Sequence, residues 1–291
     1  MIGSVTLAAP AKVNLHLDIG ARRSDGFHNL RSLFVMIGLY DELSAAATAV
    51  RGCSIQGCGN IPLEQNLIWK AYNLYCEAAD EFIGLSVNCR KRIPAMAGLG
   101  GGSSDAAAML RILQMIHPVA LPQERLTEIA AQLGSDVPFF LVSPSALVAG
   151  RGEIIEPIAT PERYSCVVVK PEFDISTGLA YRKLDAFEGV KDKSLSLQEI
   201  HHYYQQPPKR WEFFNSFTGV LTEEYPQITA LLQMLKDRGA EYANVSGSGS
   251  ALFGVFRDTK AAESCYLLLK KDIKKVWKVK MLASLTEAVY N

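Results

Sequence analysis

Between Val13 and Ile19 the side chains alternate: Val13, Leu15, Leu17 and Ile19 on one side, Asn14, His16 and Asp18 on the other. That period of two predicts a strand. A polar turn from Arg22 to Asn29 separates it from two further predicted strands, near 31–37 and 42–50. After Asn66 the period lengthens. Leu67, Ala71, Leu74, Ala78 and Phe82 keep helical spacing, and Asn66 is a suitable N-cap. A strand at 85–93 is expected to end at Pro94, followed by an Ala- and Leu-rich helix at 103–116 and another at about 123–133 that stops at Gly134. Strands near 145–158 complete the first half. Pro157, Pro161 and Pro171 then punctuate the chain, and a domain boundary is expected there, dividing it into residues 1–158 and 159–291. The second half reads as strand (164–170), helices (177–187, about 209–221, 226–238), strand (251–256), helix (259–271) and strand (276–282). Residues 188–210 form the most polar stretch, broken by Pro207-Pro208. No fixed-period repeat is visible. The mixture is α+β, in two parts.

Composition narrows the function. Of 291 residues, 48% are hydrophobic and 21% charged, ordinary for a chain that buries a core. Thirty basic and thirty acidic side chains cancel, so no overall field draws the protein to nucleic acid or an anionic membrane. The longest clean apolar stretch, Leu33 to Tyr40, is far short of the ~20 residues of a membrane helix. The first residues lack the basic and apolar regions of a signal peptide. The six cysteines, at 53, 58, 76, 89, 166 and 265, include no Cys-x-x-Cys pair and read as reduced thiols. A cytoplasmic globular protein is expected.

The most informative segment runs Pro94-Ala95-Met96-Ala97-Gly98-Leu99-Gly100-Gly101-Gly102-Ser103-Ser104-Asp105. Glycines let backbone N–H groups approach a ligand closely, and the helix that follows offers free N–H groups and a partial positive charge. Together these predict an anion site of the kind that holds phosphates. Either serine is placed to reach a phosphate-bound metal, and a β-branched side chain at Gly101 is expected to obstruct the phosphate. The alternative is a flexible loop before a serine-capped helix. Two familiar nucleotide patterns do not fit: no Gly-Lys pair occurs, and Ser103 occupies the last position of a G-x-G-x-x-G match. A second turn, Asn244-Val245-Ser246-Gly247-Ser248-Gly249-Ser250-Ala251, reads equally as a hairpin or as a loop closing on the same ligand.

Lys12 interrupts an apolar strand, and a cation there is costly to bury without an anion; a lysine snorkelling at a strand edge is the alternative. Asp136, between Gly134-Ser135 and Val137-Pro138-Phe139-Phe140, reads either as a helix cap or as a proton acceptor. Beside a phosphate site, such a lysine would keep the aspartate ionised while it takes a hydroxyl proton. The five histidines form no His-Glu-x-x-His pattern, so no metal site is expected. The lysine-rich end, Lys270 to Lys280, reads as a solvated face.

In combination these motifs resemble the galactokinase, homoserine kinase, mevalonate kinase and phosphomevalonate kinase (GHMP) superfamily. Its three motifs match in order: Pro10-Ala11-Lys12-Val13-Asn14-Leu15, then Pro94 to Ser104, then Ser246-Gly247-Ser248-Gly249-Ser250. Four segments are similar to the branch that phosphorylates a cytidylylated methylerythritol on the non-mevalonate isoprenoid route. They are Arg23 to His28, Asn66-Leu67-Ile68, Gly98 to Ala107, and Leu133 to Pro138. The resemblance implies an α+β two-domain fold, with an N-terminal domain like ribosomal protein S5 domain 2 and a ferredoxin-like C-terminal domain, the active site lying between them. It implies ATP as co-substrate, with Mg²⁺ carried on it. Lys12 and Asp136 would be the catalytic pair. Pro94, Ala95, Met96, Ala97, Gly98, Leu99, Gly100, Gly101, Gly102, Ser103 and Ser104, with Asn66, would bind ATP. Asn14, Phe27, His28, Thr177 and Tyr181 would bind the small-molecule substrate, the aromatic groups receiving its cytosine. Three positions depart from the family pattern: Phe27 stands for a tyrosine, Ala97 for a glycine and Ser248 for a threonine.

The competing readings are another kinase of this superfamily, acting on homoserine, mevalonate or a sugar, and a non-catalytic metabolite sensor. The Asp25-Gly26-Phe27-His28 turn argues against the first, because those substrates have no base to stack. Retention of both Lys12 and Asp136 argues against the second.

Overall fold

The computed structural model describes residues 4–59, 61–161, 163–187 and 194–285; positions 188–193 of the polar stretch lie outside them. Strands β1 (Val5–Arg22) and β2 (His28–Thr48) pair antiparallel along almost their whole length around a tight turn in which Gly26 takes φ +84°. The two strands expected near 31–37 and 42–50 are thus one. Pairing to β1 on both sides of a bulge at Gly38 and Leu39, from Ile37 opposite Ala11 to Tyr40 opposite Pro10, carries the strand past the point where the hydrophobic pattern alone suggests a break. The length of β2 organises the sheet. On its second edge β5 (Ser145–Gly150) pairs with the first half and β4 (Gly84–Arg90) with the second. Outside these lie β3 (Gly52–Gln56), parallel to β4, and β6 (Ile154–Pro157), antiparallel to β5.

Four helices pack on this sheet: α1 (Leu67–Ala78), α2 (Gly101–Ile116), α3 (Gln123–Leu133) and α4 (Val137–Val142). Phe34, Met36, Leu43 and Val87 meet Leu110 and Phe139 in a shared core. Helix α1 stops before Phe82, because Asp80 at φ +52° turns the chain away and leaves Phe82 exposed. The short α4 is not legible as a helix from its apolar run, although Pro138 in its first turn suits a helix start.

A second, four-stranded antiparallel sheet has the order β10 (Val276–Lys280), β7 (Ser165–Val169), β9 (Leu252–Phe256), β8 (Tyr242–Val245). Helices α5 (Thr177–Asp185), α7 (Ser216–Glu224), α8 (Pro226–Asp237) and α9 (Thr259–Asp272) contribute to the core on one side. Helix α7 starts seven residues later than expected, since Pro207-Pro208 leads into a short 3₁₀ turn and residues 211–215 run on without helix. Helix α6 (Leu197–Tyr204) carries a capping box between Ser196 and Glu199.

The two sheets are joined by a third core. Ala11, Val13, Leu15, Leu33, Val35 and Ile37 from the first meet Cys166, Val168, Trp211, Tyr242, Phe253 and Val255. Both faces of β1 are therefore covered, and Asn14 and His16 are buried along with their apolar neighbours.

Candidate active site

Register slips between Pro10 and Ala11, and between Asn14 and His16, place bulges on either side of Lys12–Asn14. The Lys12 N–H donates to the Leu99 carbonyl at 2.9 Å, tying β1 to the glycine loop. The Lys12 side chain is only 4% exposed, so it does not snorkel. Its Nζ donates to Asn14 Oδ1 at 2.6 Å, lies 3.4 Å from Asp136 Oδ2 and sits 4.5 Å above the centre of the Phe34 ring. The buried cation thus meets an anion, an amide oxygen and a ring face. Asp136 occupies the cap position of α4, yet its side chain makes no capping bond. Its half-buried carboxylate is turned to Lys12 instead.

The glycine loop reaches α2 through three left-handed residues, Met96 (φ +50°), Gly98 (φ +71°) and Gly100 (φ +70°). A Cβ on Gly100 would lie 2.9 Å from the Phe140 ring and 3.1 Å from Lys12 Cγ, so the Lys12 side chain packs against the helix start. Gly100 brings no capping side chain, and the first N–H groups of the sixteen-residue α2 are left for a ligand. Two expectations about this loop change. A side chain at Gly101 would strike Ile93 at 2.9 Å, pointing into the protein, whereas Gly102 is open, with Leu67 at an ordinary 3.7 Å. Neither serine lines the cleft. Ser104 is buried beside β1 with its hydroxyl unpartnered, and Ser103 lies one residue earlier on the helix.

The second glycine turn closes on the first. Ser246 Oγ donates to the Gly98 carbonyl at 2.9 Å, and the Ala251 N–H donates to the Ala97 carbonyl at 3.2 Å. Gly98 presses so closely on the Ser246 carbonyl that no side chain fits. Asn215 fastens the turn from below: its amide donates to the carbonyls of Val245 (2.9 Å) and Gly247 (2.8 Å) while its oxygen caps α7.

Between these loops lies a cleft of about 500 Å³. Pro94, Ala95, Met96, Ala97, Gly98, Leu99, Gly100, Gly101 and Gly102 line it, together with Lys12, Asn14, Asn66, Asp136, Thr177 and Tyr181. Asn66 also caps α1, its Oδ1 accepting from the Ile68 N–H at 2.9 Å. Lys91 lines the cleft too, its Nζ bonded to Asp41 and, at 2.6 Å, to Asp105. Burial alone would lower the Lys91 pKa, but the carboxylates of Asp105 and Asp41 hold it above the ordinary lysine range. Burial pushes the Asp105 carboxyl up, with Lys91 opposing. Buried Asp41 and Asp105, on β2 and α2, are the sequence signal for this group, since each demands a cation.

Thr177 Oγ1 meets Ser248 Oγ at 3.0 Å. Tyr181, its phenol pushed up first by burial and then by Asp136, faces His28 with ring centres 5.2 Å apart and planes 33° from parallel. His28 Nδ1 is 2.9 Å from the Gly20 carbonyl, and Nε2 is 3.3 Å from Asp185. Phe27 stands apart. It lines neither the cleft nor the neighbouring cavity of about 600 Å³ that His28 borders, is 55% exposed, and lies 5.1 Å beneath the Arg151 guanidinium. It is not a core residue.

Known proteins share both the sequence and the fold of this chain. The GHMP kinase N-terminal domain model matches residues 66–143, and the GHMP kinase C-terminal model matches residues 205–273. The chain is 36% identical to 4-diphosphocytidyl-2-C-methyl-D-erythritol kinase of Treponema pallidum (strain Nichols), over 92% of this chain and 95% of that one. It is 39% identical to the kinase of the same name from Thermosipho africanus, over 89% and 93% of the two chains. A crystal structure of 4-(cytidine 5'-diphospho)-2C-methyl-D-erythritol kinase superposes with a TM-score of 0.82 at 34% identity, covering 95% of this chain and 98% of that one. Homoserine kinase from Cytophaga hutchinsonii shares the fold at TM-score 0.72 and 16% identity. At these identities, held over nine-tenths of the chain or close to it, the chain belongs to the GHMP kinases, in the 4-diphosphocytidyl-2-C-methyl-D-erythritol kinase family.

Proposed function

We propose that the protein transfers the γ-phosphoryl group of ATP to the 2-hydroxyl of 4-diphosphocytidyl-2-C-methyl-D-erythritol, giving the 2-phosphate and ADP for isoprenoid precursor synthesis. The contact of Lys12 with both Asp136 and the start of α2 carries this reading, because it puts a proton acceptor and a cation beside the N–H groups that would cradle phosphates. The substrate hydroxyl would lie against Lys12 and Asp136. Lys12 attracts the developing alkoxide, Asp136 takes the proton, and the oxygen attacks the γ-phosphorus as ADP leaves. Phosphoryl transfer asks little covalent chemistry of the protein, and positioned charge supplies most of the rate. Mg²⁺ would be carried on the ATP phosphates; the two carboxylates lining the cleft, Asp136 and Asp105, are each paired with a lysine, a lining that fits an ion keeping most of its waters.

Asn14, Thr177, His28 and Tyr181 would hold the substrate, the last two receiving its cytosine, with Phe27 approaching the base from the rim. We place the division of the chain at residues 158 and 159, a reading supported by β6 and β7 lying in different sheets. The six unbonded cysteines support a cytoplasmic setting. A coupled ADP-release assay with the cytidylylated substrate beside homoserine and mevalonate tests the assignment. Turnover with the first is expected, and turnover confined to the other two would overturn it.

A further inference from the structure

Strand β3 runs parallel to β4 as far as Gln56 opposite Asn88. Gly57, at φ +84°, then lies so tightly on the Cys89 carbonyl that no side chain could occupy the position. Beyond this turn Cys58 packs against the same core cluster that contains Cys89, and each thiol has the strongest influence on the acidity of the other. Cys89 is buried in the sheet core, whereas Cys58 is half-buried and lines the cleft beside Asn66 and Lys91. The surroundings separate the two thiols. Cys58 is made more acidic by the hydrogen bond from Cys89, against the effect of burial, and then by Asn66 and the Lys91 charge, with Asp41 opposing. Cys89 is made less acidic by the same hydrogen bond and by burial. Among the other described cysteines, Cys76, Cys166 and Cys265 are buried, and burial pushes the Cys53 thiol up to about 12.

We propose that Cys58 and Cys89 form an oxidisable pair at the edge of the cleft, Cys58 reacting with peroxide and Cys89 closing a disulfide with it. The Cys58 thiolate attacks the O–O bond and takes one oxygen as sulfenic acid, releasing hydroxide, which is protonated to water. The Cys89 sulfur then displaces the hydroxyl group, forming the S–S bond and releasing a second water. The two sulfurs lose two electrons and the peroxide gains them. Closure draws Cys58 away from Asn66, the cap of α1, so the disulfide reshapes the wall of the cleft. This last consequence, for ATP, rests on the function proposed above; the thiol chemistry does not.

Iodoacetamide mapping of the full folded chain at neutral pH tests the pair. Cys58 is expected to alkylate at least on the order of ten-fold faster than Cys53. After hydrogen peroxide, both Cys58 and Cys89 should resist alkylation, and a non-reducing digest should yield a Cys58–Cys89 peptide that dithiothreitol separates. Cys58→Ser should abolish the cross-link. Cys89→Ala should leave a Cys58 sulfenic acid that dimedone traps, which keeps the test informative even if one variant folds poorly. Equal reactivity of Cys58 and Cys53, or oxidation of Cys58 to sulfinic acid with Cys89 still free, would overturn the pair. A cross-linked protein with unchanged ATP affinity would overturn the effect on the cleft, whereas a loss of at least about five-fold, reversed by dithiothreitol, is expected.

Discussion

The Asn14 amide nitrogen donates to the Ser32 hydroxyl at 3.1 Å, and the single proton of that hydroxyl is committed to the His16 carbonyl. Ser32 can therefore only accept from Asn14. The amide is locked in one orientation, with Oδ1 left to receive Lys12 Nζ. Ser32→Ala should release this orientation and lower kcat about ten-fold, the kinetic equivalent of one hydrogen bond, with KM for ATP unchanged. Steady-state kinetics on both substrates check it, and a change confined to KM for ATP would contradict it.

Asp136→Ala is expected to reduce kcat by ~10²–10⁴ while ATP still binds, because in the proposed mechanism the carboxylate takes a proton and does not hold the phosphates. Asp136→Asn keeps the shape beside Lys12 and should be as inactive. Near-normal turnover in the asparagine variant would make Asp136 a partner for Lys12 and nothing more.

The two glycines at the start of α2 should respond differently to valine. Gly102→Val projects into the cleft and should weaken binding of a fluorescent ATP analogue on the order of ten-fold at an unchanged melting temperature. Gly101→Val meets Ile93 and should cost stability, ~1–3 kcal/mol, as overpacking does. Comparing melting temperature with affinity for each variant separates the two outcomes.

Because Phe27 is exposed, Phe27→Ala should leave the melting temperature unchanged. If the ring approaches the cytosine, KM for the cytidylylated substrate should rise by a factor equivalent to ~1–3 kcal/mol of stacking, with a much smaller effect on KM for ATP. Tyr181→Ala should raise the same KM, since its ring already faces His28. Unchanged substrate KM in both variants would remove the base site from this rim.

His16 gives the fold a pH dependence. Burial, reinforced by Arg31, lowers its pKa from 6.5 to about 3. The unfolded chain takes up a proton below about pH 6.5 that the folded chain refuses. Its neutral form is therefore compatible with folding above that pH, and stability is lost as pH falls from about 6.5 toward 3, at up to ~1.4 kcal/mol per pH unit. Denaturant unfolding at pH 7 and pH 5 should show a larger loss for the native chain than for His16→Asn. Equal losses would mean that His16 is protonated in the folded state.

Local signals were the legible part of this molecule. Asn66 caps a helix, Gly134 follows one, and the glycine loop before α2 announces an anion site, because each rests on bonds within a few residues. The capping box at Ser196 and Glu199 is equally local, yet α6 goes unread in the sequence because the stretch around it is so polar. What pattern alone does not convey is long-range. The β2 strand runs on past Gly38 because β1 pairs with it on both sides of the bulge there, and β8 exists because β9 does. Within the site, family motifs pointed to Lys12 and Asp136 as partners, but only the fold brings them to 3.4 Å. The same fold separates Phe27 from its sequence neighbour His28, whose ring turns to Tyr181 while Phe27 turns to Arg151.

The bonds from Ser246 to Gly98 and from Ala251 to Ala97 make the shape of the glycine loop a property of both ends of the chain. A fragment ending at Pro157 would carry every glycine of the loop and none of the groups that brace it from the far side. Separately expressed halves would then recover ATP binding only on reassociation, and swapping the C-terminal half for that of a relative would alter nucleotide affinity without changing a residue of the loop itself.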